Sequence, residues 1–228
     1  MFRFIFQTII LLYIILLIYS IIDIQKYNVN GILQDINDYN KIKEEMDQLN
    51  PILIKYKHNF SPDNLPISVI FNDNNINLNN LYNYSDNDQI IIKKGENILE
   101  TYKPSFMNEL FNSSNLYFPI NNTSSIYKSN INIPLSQAIH NINIIGIVDG
   151  ETNIYLINPK HKNDILMKKN YEIKKWAHKI KVKKDDILFI PTNWFYIQET
   201  KNKCIQYHID IDTYFTFIPL YIKELMNI

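Results

Sequence analysis

The amino terminus carries a long apolar run. From Phe4 to Ile22 the chain has 19 residues without a charge, and a helix of that length, rising about 1.5 Å per residue, spans close to the ~30 Å hydrocarbon core of a bilayer. The residues that follow are not the small ones of a signal-peptidase site. We therefore predict an uncleaved transmembrane signal anchor over residues 1–25, which contacts the membrane through residues 4–22. A cleavable signal peptide is the alternative.

The charges that flank this run favour one orientation. Arg3 and the amino terminus precede it, whereas Asp23 and then Lys26 follow it. The positive-inside rule therefore predicts a cytosolic N-terminus and a lumenal or external C-terminal domain. In that orientation, glycans could be attached at four Asn-x-Ser/Thr sequons, which begin at Asn83, Asn112, Asn121 and Asn122.

A helix-like pattern comes next. Apolar residues from Ile36 to Ile52 recur at irregular helical spacing among Lys and Glu, and Pro51 interrupts them. This pattern predicts a juxtamembrane helical segment over residues 26–60.

Short β-branched and aromatic runs, bounded by turn residues, fill the remainder of the chain. They predict one mainly β domain over residues 61–228, built as a sandwich or barrel. The runs lie at residues 67–71, 89–93, 115–120, 143–148, 153–157, 180–182, 187–190 and 205–211.

The run from Cys204 to Asp212 alternates strictly, as expected for a strand with one face against a core. One face carries Ile205, Tyr207, Ile209 and Ile211, and the other carries Gln206, His208, Asp210 and Asp212.

Composition excludes several classes of protein. The 23 basic and 23 acidic residues balance, so we expect no nucleic acid partner. Cys204 is the only cysteine, which excludes an internal disulfide and a cysteine zinc cluster, and we predict a buried bystander. His58, His161 and His178 lack metal-ligand spacing, so we predict surface histidines there.

Two segments in the C-terminal half share a family pattern. The first runs from Asn143 to Gly150 (NIIGIVDG) and continues to Pro159, and the second runs from Lys184 to Tyr196 (KDDILFIPTNWFY). In order and spacing they resemble the cupin-like JmjC family of iron(II)- and 2-oxoglutarate-dependent oxygenases, over residues 135–217. The resemblance implies a double-stranded β-helix, which is a jelly-roll barrel with flanking helices, behind the transmembrane helix.

The resemblance also implies where an iron site would lie. Such enzymes bind iron(II) through two histidines and a carboxylate, which leave three positions open. The family's H-x-D positions fall on Gln137 and Ile139, the distal histidine falls on Tyr196, and the lysine that pairs with 2-oxoglutarate falls on Thr152. Because these positions are vacated, we expect no metal, no cofactor and no catalytic residue.

A displaced iron site is the alternative. His208-Ile209-Asp210 spells H-x-D, although it follows the second segment instead of preceding the first. Together with His140 it would hold Fe(II), and 2-oxoglutarate would be the second cofactor.

The leading hypothesis is a membrane-anchored, non-catalytic barrel that binds or scaffolds an unknown protein or small molecule. In that protein Trp194, Phe195 and Tyr196 would be core or pocket-wall aromatics. The second hypothesis is an active oxygenase with the displaced site. The third is a structural or envelope protein of a large DNA virus.

Overall fold

A computed structural model provides the fold of the chain. It describes residues 2–23, 25–36, 38–57, 68–71, 74–77, 89–93, 117–127, 131–165, 168, 170–213, 216–217 and 219–220. The predicted positions His58, Asn83 and Asn112 lie outside the described residues.

The described part of the chain is mainly β structure, which confirms the predicted fold class. The helices are α1 (Phe2–Asp23), α2 (Tyr39–Asp47), α3 (Lys162–Ile165) and α4 (Asn170–Ile173). The strands are β1 (Gln34–Ile36), β2 (Ile52–Lys55), β3 (Ser68–Phe71), β4 (Asn74–Asn77), β5 (Gln89–Lys93), β6 (Tyr117–Tyr127), β7 (Ile131–Gln137), β8 (Ile142–Ile157), β9 (His178–Lys183), β10 (Asp186–Pro191), β11 (Phe195–Thr200) and β12 (Cys204–Thr213).

Two layers of strands make the barrel. The first has the order β5-β6-β12-β8-β10-β2-β1 and uses β8 up to Gly150. The second has the order β7-β11-β8-β9 and uses the part of β8 that follows Gly150. Along the chain, β6, the first half of β8, β10 and β12 lie in the first layer. The strands β7, the second half of β8, β9 and β11 lie in the second layer. This is the strand order of a double-stranded β-helix, the jelly roll of cupins.

Strand β8 passes from one layer to the other without a break. Sequence analysis predicts two separate strands here, at residues 143–148 and 153–157, whereas the structure has one strand over Ile142–Ile157. Gly150 sits at the crossing with a φ of +84°. An added Cβ there would overlap the carbonyl oxygen of Lys203, so both the backbone angle and the available space require glycine.

The main core fills the space between the layers. Ile145 and Leu188 of the first layer pack with Ile154 and Leu156 of the second, and all four are 1% exposed or less. A second cluster lies on the outer face of the second layer, where Phe195 and neighbouring residues pack against α3 and α4. Strand alternation explains this division, because residues 154 and 156 point inward while residues 155 and 157 point outward.

The strand β12 has the predicted alternation, but both of its faces are covered. Ile205, Ile209 and Ile211 are buried as expected. The polar face is buried too, since Gln206 and Asp212 are each 0% exposed. The polar face of β12 therefore points into the barrel.

The segment that follows α1 lies on the barrel. Among the described residues of the predicted juxtamembrane segment 26–60, the helical ones are Tyr39–Asp47. Strand β2 pairs with β10, and β1 pairs with β2 in parallel, so both extend the first layer. The predicted division at residue 61 remains a prediction.

Helix α1 is long and apolar enough to cross a membrane. Length and composition support no more than this, because an N-terminal signal sequence has the same properties.

We expect Gly150→Ala to lower the free energy of unfolding by at least about 2 kcal/mol, because it imposes a left-handed backbone on alanine and crowds Lys203. Urea unfolding of the full-length protein in detergent measures this. Asn153→Ala is the matched control, because it lies in the same strand outside the positive-φ region. Equal stability of the two variants would contradict the role given to Gly150.

Candidate functional site

The residues that carry the family resemblance occupy structural positions. Asp185, where the family has glycine, adopts a φ of +69° in the turn between β9 and β10. Asp186 is 1% exposed, accepts a hydrogen bond from the backbone N–H of Lys183 at 2.9 Å and pairs with Lys55. Asn143 donates to the carbonyl oxygen of His140 at 3.1 Å. The aligned positions thus fix turns and strand ends of the barrel.

The three vacated ligand positions lie on or beside two paired strands. Gln137 ends β7, Tyr196 lies near the start of β11, and the register pairs Gln137 with Phe195. Ile139 follows two residues after β7. The topology therefore places the aligned positions at the same end of the second layer.

The side chains at these positions do not suit iron(II). An amide, an aliphatic group and a phenol replace two imidazoles and a carboxylate. Burial raises the pKa of Tyr196 to about 12, and Asp210 and Tyr127 add to the effect. The Tyr196 phenol therefore stays protonated at neutral pH. The side-chain amide of Gln137 donates a hydrogen bond to the Asn193 side-chain oxygen at 3.4 Å.

Thr152, the position of the family's 2-oxoglutarate lysine, lies in a buried polar cluster. Its side chain is 2.8 Å from the Thr200 hydroxyl and accepts from the Gln198 amide at 3.2 Å. All three residues are 2% exposed or less. The hydrogen-bond partners of Thr152 in this cluster are neutral hydroxyl and amide groups.

The cluster continues across the barrel through side-chain amides. Gln198 donates to Gln206 at 2.6 Å, and Gln206 donates to the Tyr127 hydroxyl at 3.0 Å. Burial raises the pKa of Tyr127 to about 12. We call the residues Thr152, Thr200, Gln198, Gln206 and Tyr127 the interior network. Sequence analysis places Gln206 on the polar face of its strand, but it does not identify Gln198, Thr200 or Tyr127.

The residues of the displaced-site hypothesis are brought together only in part. His140 Nδ1 lies 3.0 Å from Asp212 Oδ2, and His140 Nε2 lies 3.9 Å from Asp210 Oδ2. His208 instead directs its ring at the Gln206 amide, and burial lowers its pKa to about 4. In the described part of the chain, no three His, Cys, Asp or Glu side chains are grouped as metal ligands.

The three predicted aromatics lie in different places. Trp194 is 3% exposed and packs in the main core, with Tyr196 beside that core. Phe195 is 3% exposed and packs in the outer cluster.

Cys204 is buried, and burial raises the pKa of its thiol to about 12.

A pocket of about 410 Å³ opens at the edge of the barrel, beside the loop that follows α1. Its apolar wall consists of Ile32, Leu33, Leu156, Trp176 and Trp194. Its polar wall includes Lys160, His161 and His178. Sequence analysis predicts both histidines as surface residues. We call this cavity the edge pocket. Its volume lies within the roughly 300–1,000 Å³ typical of small-molecule sites.

Comparisons with known proteins give similarity at the level of structure alone. No family model matches the chain. No curated protein matches it either. Among solved structures, a cupin superfamily protein of Desulfitobacterium hafniense is 10% identical, with a TM-score of 0.37 over 64% of this chain and 95% of that one. The recombinant pro-11S globulin of pumpkin is 9% identical, with a TM-score of 0.35 over 57% of this chain and 27% of that one.

Overlaps with these TM-scores do not define a fold or a function by themselves. The assignment to the double-stranded β-helix class rests on the strand pairing of this chain.

We expect Gln206→Leu to lower the free energy of unfolding by about 1–3 kcal/mol, because it removes one hydrogen-bond partner from each of the buried side chains Gln198 and Tyr127. The double variant Gln198→Leu/Gln206→Leu should be destabilised by less than the sum of the two single variants, because it removes both partners together. Denaturant unfolding of the four proteins gives the coupling energy. A coupling within about 0.3 kcal/mol of zero would contradict the network.

His208 should make the protein less stable in mild acid. Its pKa is about 4 in the folded state and 6.5 ordinarily, so the unfolded chain binds the proton more readily, and stability falls as pH falls between these values. The loss is on the order of 3 kcal/mol. His208→Asn should remove this part of the pH dependence of urea unfolding, whereas His178→Asn, at an exposed histidine, should keep it. An unchanged pH profile in His208→Asn would contradict the assignment.

Proposed function

We propose that the protein is a membrane-anchored double-stranded β-helix that works by binding a partner and does not catalyse iron(II)- and 2-oxoglutarate-dependent oxidation. In this proposal α1 is the anchor and the barrel is the binding domain.

One observation carries the proposal. The barrel has the strand order of the oxygenase fold, yet the aligned ligand positions hold Gln137, Ile139 and Tyr196. A neutral amide, an alkyl group and a protonated phenol cannot replace two imidazoles and a carboxylate as ligands for iron(II).

The interior network supports the same conclusion. In an oxygenase of the family, the barrel interior receives the carboxylate of 2-oxoglutarate. Here Thr152, Gln198 and Gln206 hydrogen-bond to one another in that interior. Any acid that entered would have to break these bonds, and none of the three side chains carries a positive charge to offset the cost.

The short connection between α1 and the barrel determines how far from a membrane an anchored barrel would lie. Helix α1 ends at Asp23, and three residues later the side-chain amide of Asn193 donates a hydrogen bond to the carbonyl oxygen of Lys26 at 3.3 Å. Three residues reach at most about 11 Å. A bilayer that contained α1 would therefore lie close to this end of the barrel.

The displaced oxygenase remains the second candidate because of one specific contact. His140 and Asp210 come within 3.9 Å of each other, with side-chain exposures of 12% and 21%. His140 Nδ1 also lies 3.0 Å from Oδ2 of the buried Asp212, so this ring nitrogen already has a hydrogen-bond partner.

An anaerobic titration of the full-length protein with Fe(II) and 2-oxoglutarate separates the two candidates. We expect no metal-to-ligand absorption band from the wild-type protein. We expect the combined variant Gln137→His/Ile139→Asp/Tyr196→His/Thr152→Lys to develop the band, because it restores the family's ligand set at the aligned positions. Circular dichroism verifies that both proteins are folded.

A band from the wild-type protein that His208→Ala removes would establish the displaced site and reject the proposal. Extraction of native membranes with alkaline carbonate tests the anchor separately. Release of the full-length chain into the supernatant would reject anchoring and leave the conclusion about iron intact.

A further inference from the structure

We propose that the edge pocket binds an amphipathic carboxylate, meaning a single apolar chain or body with one carboxylate head. The proposal deepens the binding role proposed above by naming the ligand class. It rests on the proposed anchor only for the source of the ligand.

The wall of the pocket is complementary to such a ligand. Ile32, Leu33 and Leu156 provide aliphatic surface, and the rings of Trp176 and Trp194 add aromatic surface to the lining. A pocket with mostly apolar walls and few polar groups is the usual form of a small-molecule site. The apolar part of the ligand would replace water along this wall.

The polar groups of the pocket favour an anion. Lys160, His161 and His178 line it, and in the described part of the chain no carboxylate does. Lys168 and Lys175 lie over the ring of Trp176, at 4.4 and 4.0 Å from its centre. Asp164 is the nearby acid, 3.5 Å from His161. Besides His161, four positive or protonatable groups therefore lie in or beside the apolar wall, namely Lys160, His178, Lys168 and Lys175.

A buried donor in the wall lacks an acceptor. In the described part of the chain, Trp194 Nε1 is the buried side-chain polar atom without a hydrogen-bond partner. The ring packs against Gly31, where an added Cβ would lie 3.0 Å from Trp194 Cζ2. A carboxylate oxygen that reached Trp194 Nε1 from the pocket would supply the acceptor. An unpaired buried donor is unfavourable, so a ligand with an acceptor is selected over a purely apolar one.

The loop over the pocket links it to the membrane. Asn158 holds this loop by donating to the carbonyl oxygens of Asn28 and Gly31 at 2.9 and 3.2 Å. Within the loop, Val29 is 52% exposed and Ile32 is 65% exposed, so both apolar side chains face outward beside the pocket. Gly31 follows the end of α1 by eight residues, so the pocket lies within about 29 Å of it. A carboxylate in the bilayer could reach the pocket directly.

Tryptophan fluorescence of the full-length protein tests the proposal. The sequence has two tryptophans, and both line the pocket, so the tryptophan emission reports this site. The protein is placed in phosphatidylcholine vesicles and titrated with 9,10-dibromostearate, whose bromines quench nearby indoles. We expect saturable quenching that excess stearate reverses. The methyl ester of dibromostearate should quench much more weakly, because it lacks the charge.

A matched pair of variants tests the charge requirement. Lys160→Glu should weaken the apparent affinity roughly tenfold or more, because it replaces a cation of the wall by an anion. Lys162→Glu is the control, because Lys162 is exposed and near in sequence but does not line the pocket. Equal weakening in both variants, or equal quenching by acid and methyl ester, would overturn the proposal.

A second probe identifies the source of the carboxylate. The acid 8-bromooctanoate stays largely in water, whereas dibromostearate resides in the bilayer. Saturable quenching by both supports the shared chemistry, and tighter binding of dibromostearate assigns the bilayer as the source. If neither probe gives saturable quenching, the site is rejected. If carbonate extraction removes the protein from membranes while 8-bromooctanoate still binds, the anchor fails and the site stands.

Discussion

The barrel depends on one strand that serves two layers. The first half of β8 pairs with β10 and β12, and the second half pairs with β9 and β11. A shift of one residue in β8 would turn its inward side chains outward in both layers at once. Gly150 makes the crossing possible because its backbone is left-handed and the Lys203 carbonyl oxygen occupies the space of a side chain. The inward positions of all four partner strands follow from this crossing.

Those inward positions determine the chemistry of the barrel interior. Strand alternation turns Gln198 and Gln206 toward the same space, where an unpaired amide would be costly. The two amides bond to each other and to Thr152 and Tyr127. Because the polar groups of this network already have hydrogen-bond partners, a ligand would add little favourable free energy by bonding to them. The unsatisfied donor Trp194 Nε1 lies at the edge of the barrel instead, and this difference moves the expected binding site away from the interior.

The sequence predicts local structure well where the pattern is local. The run at residues 89–93 is predicted as a strand and is β5, and the alternation in β12 gives its buried apolar face correctly. The pattern cannot specify a partner strand, so it does not predict that β1 and β2 join the barrel or that β8 is continuous. It also cannot distinguish a solvated polar face from one that faces a barrel interior, which is why Gln198 and Thr200 are missed. The edge pocket is missed for a related reason, because residues 31–33 and 156–178 meet only in the folded chain.

The position of the edge pocket follows from the same contacts that hold the N-terminal segment. Asn158 and Asn193 bond to the backbone between Lys26 and Gly31, and these bonds leave little free chain after Asp23. A helix in a bilayer would thus hold the pocket near the lipid surface, with Val29 and Ile32 beside it. If α1 spans a bilayer as proposed, the membrane would supply the ligand and cover the loop, and the bound loop would keep the pocket within reach of the membrane.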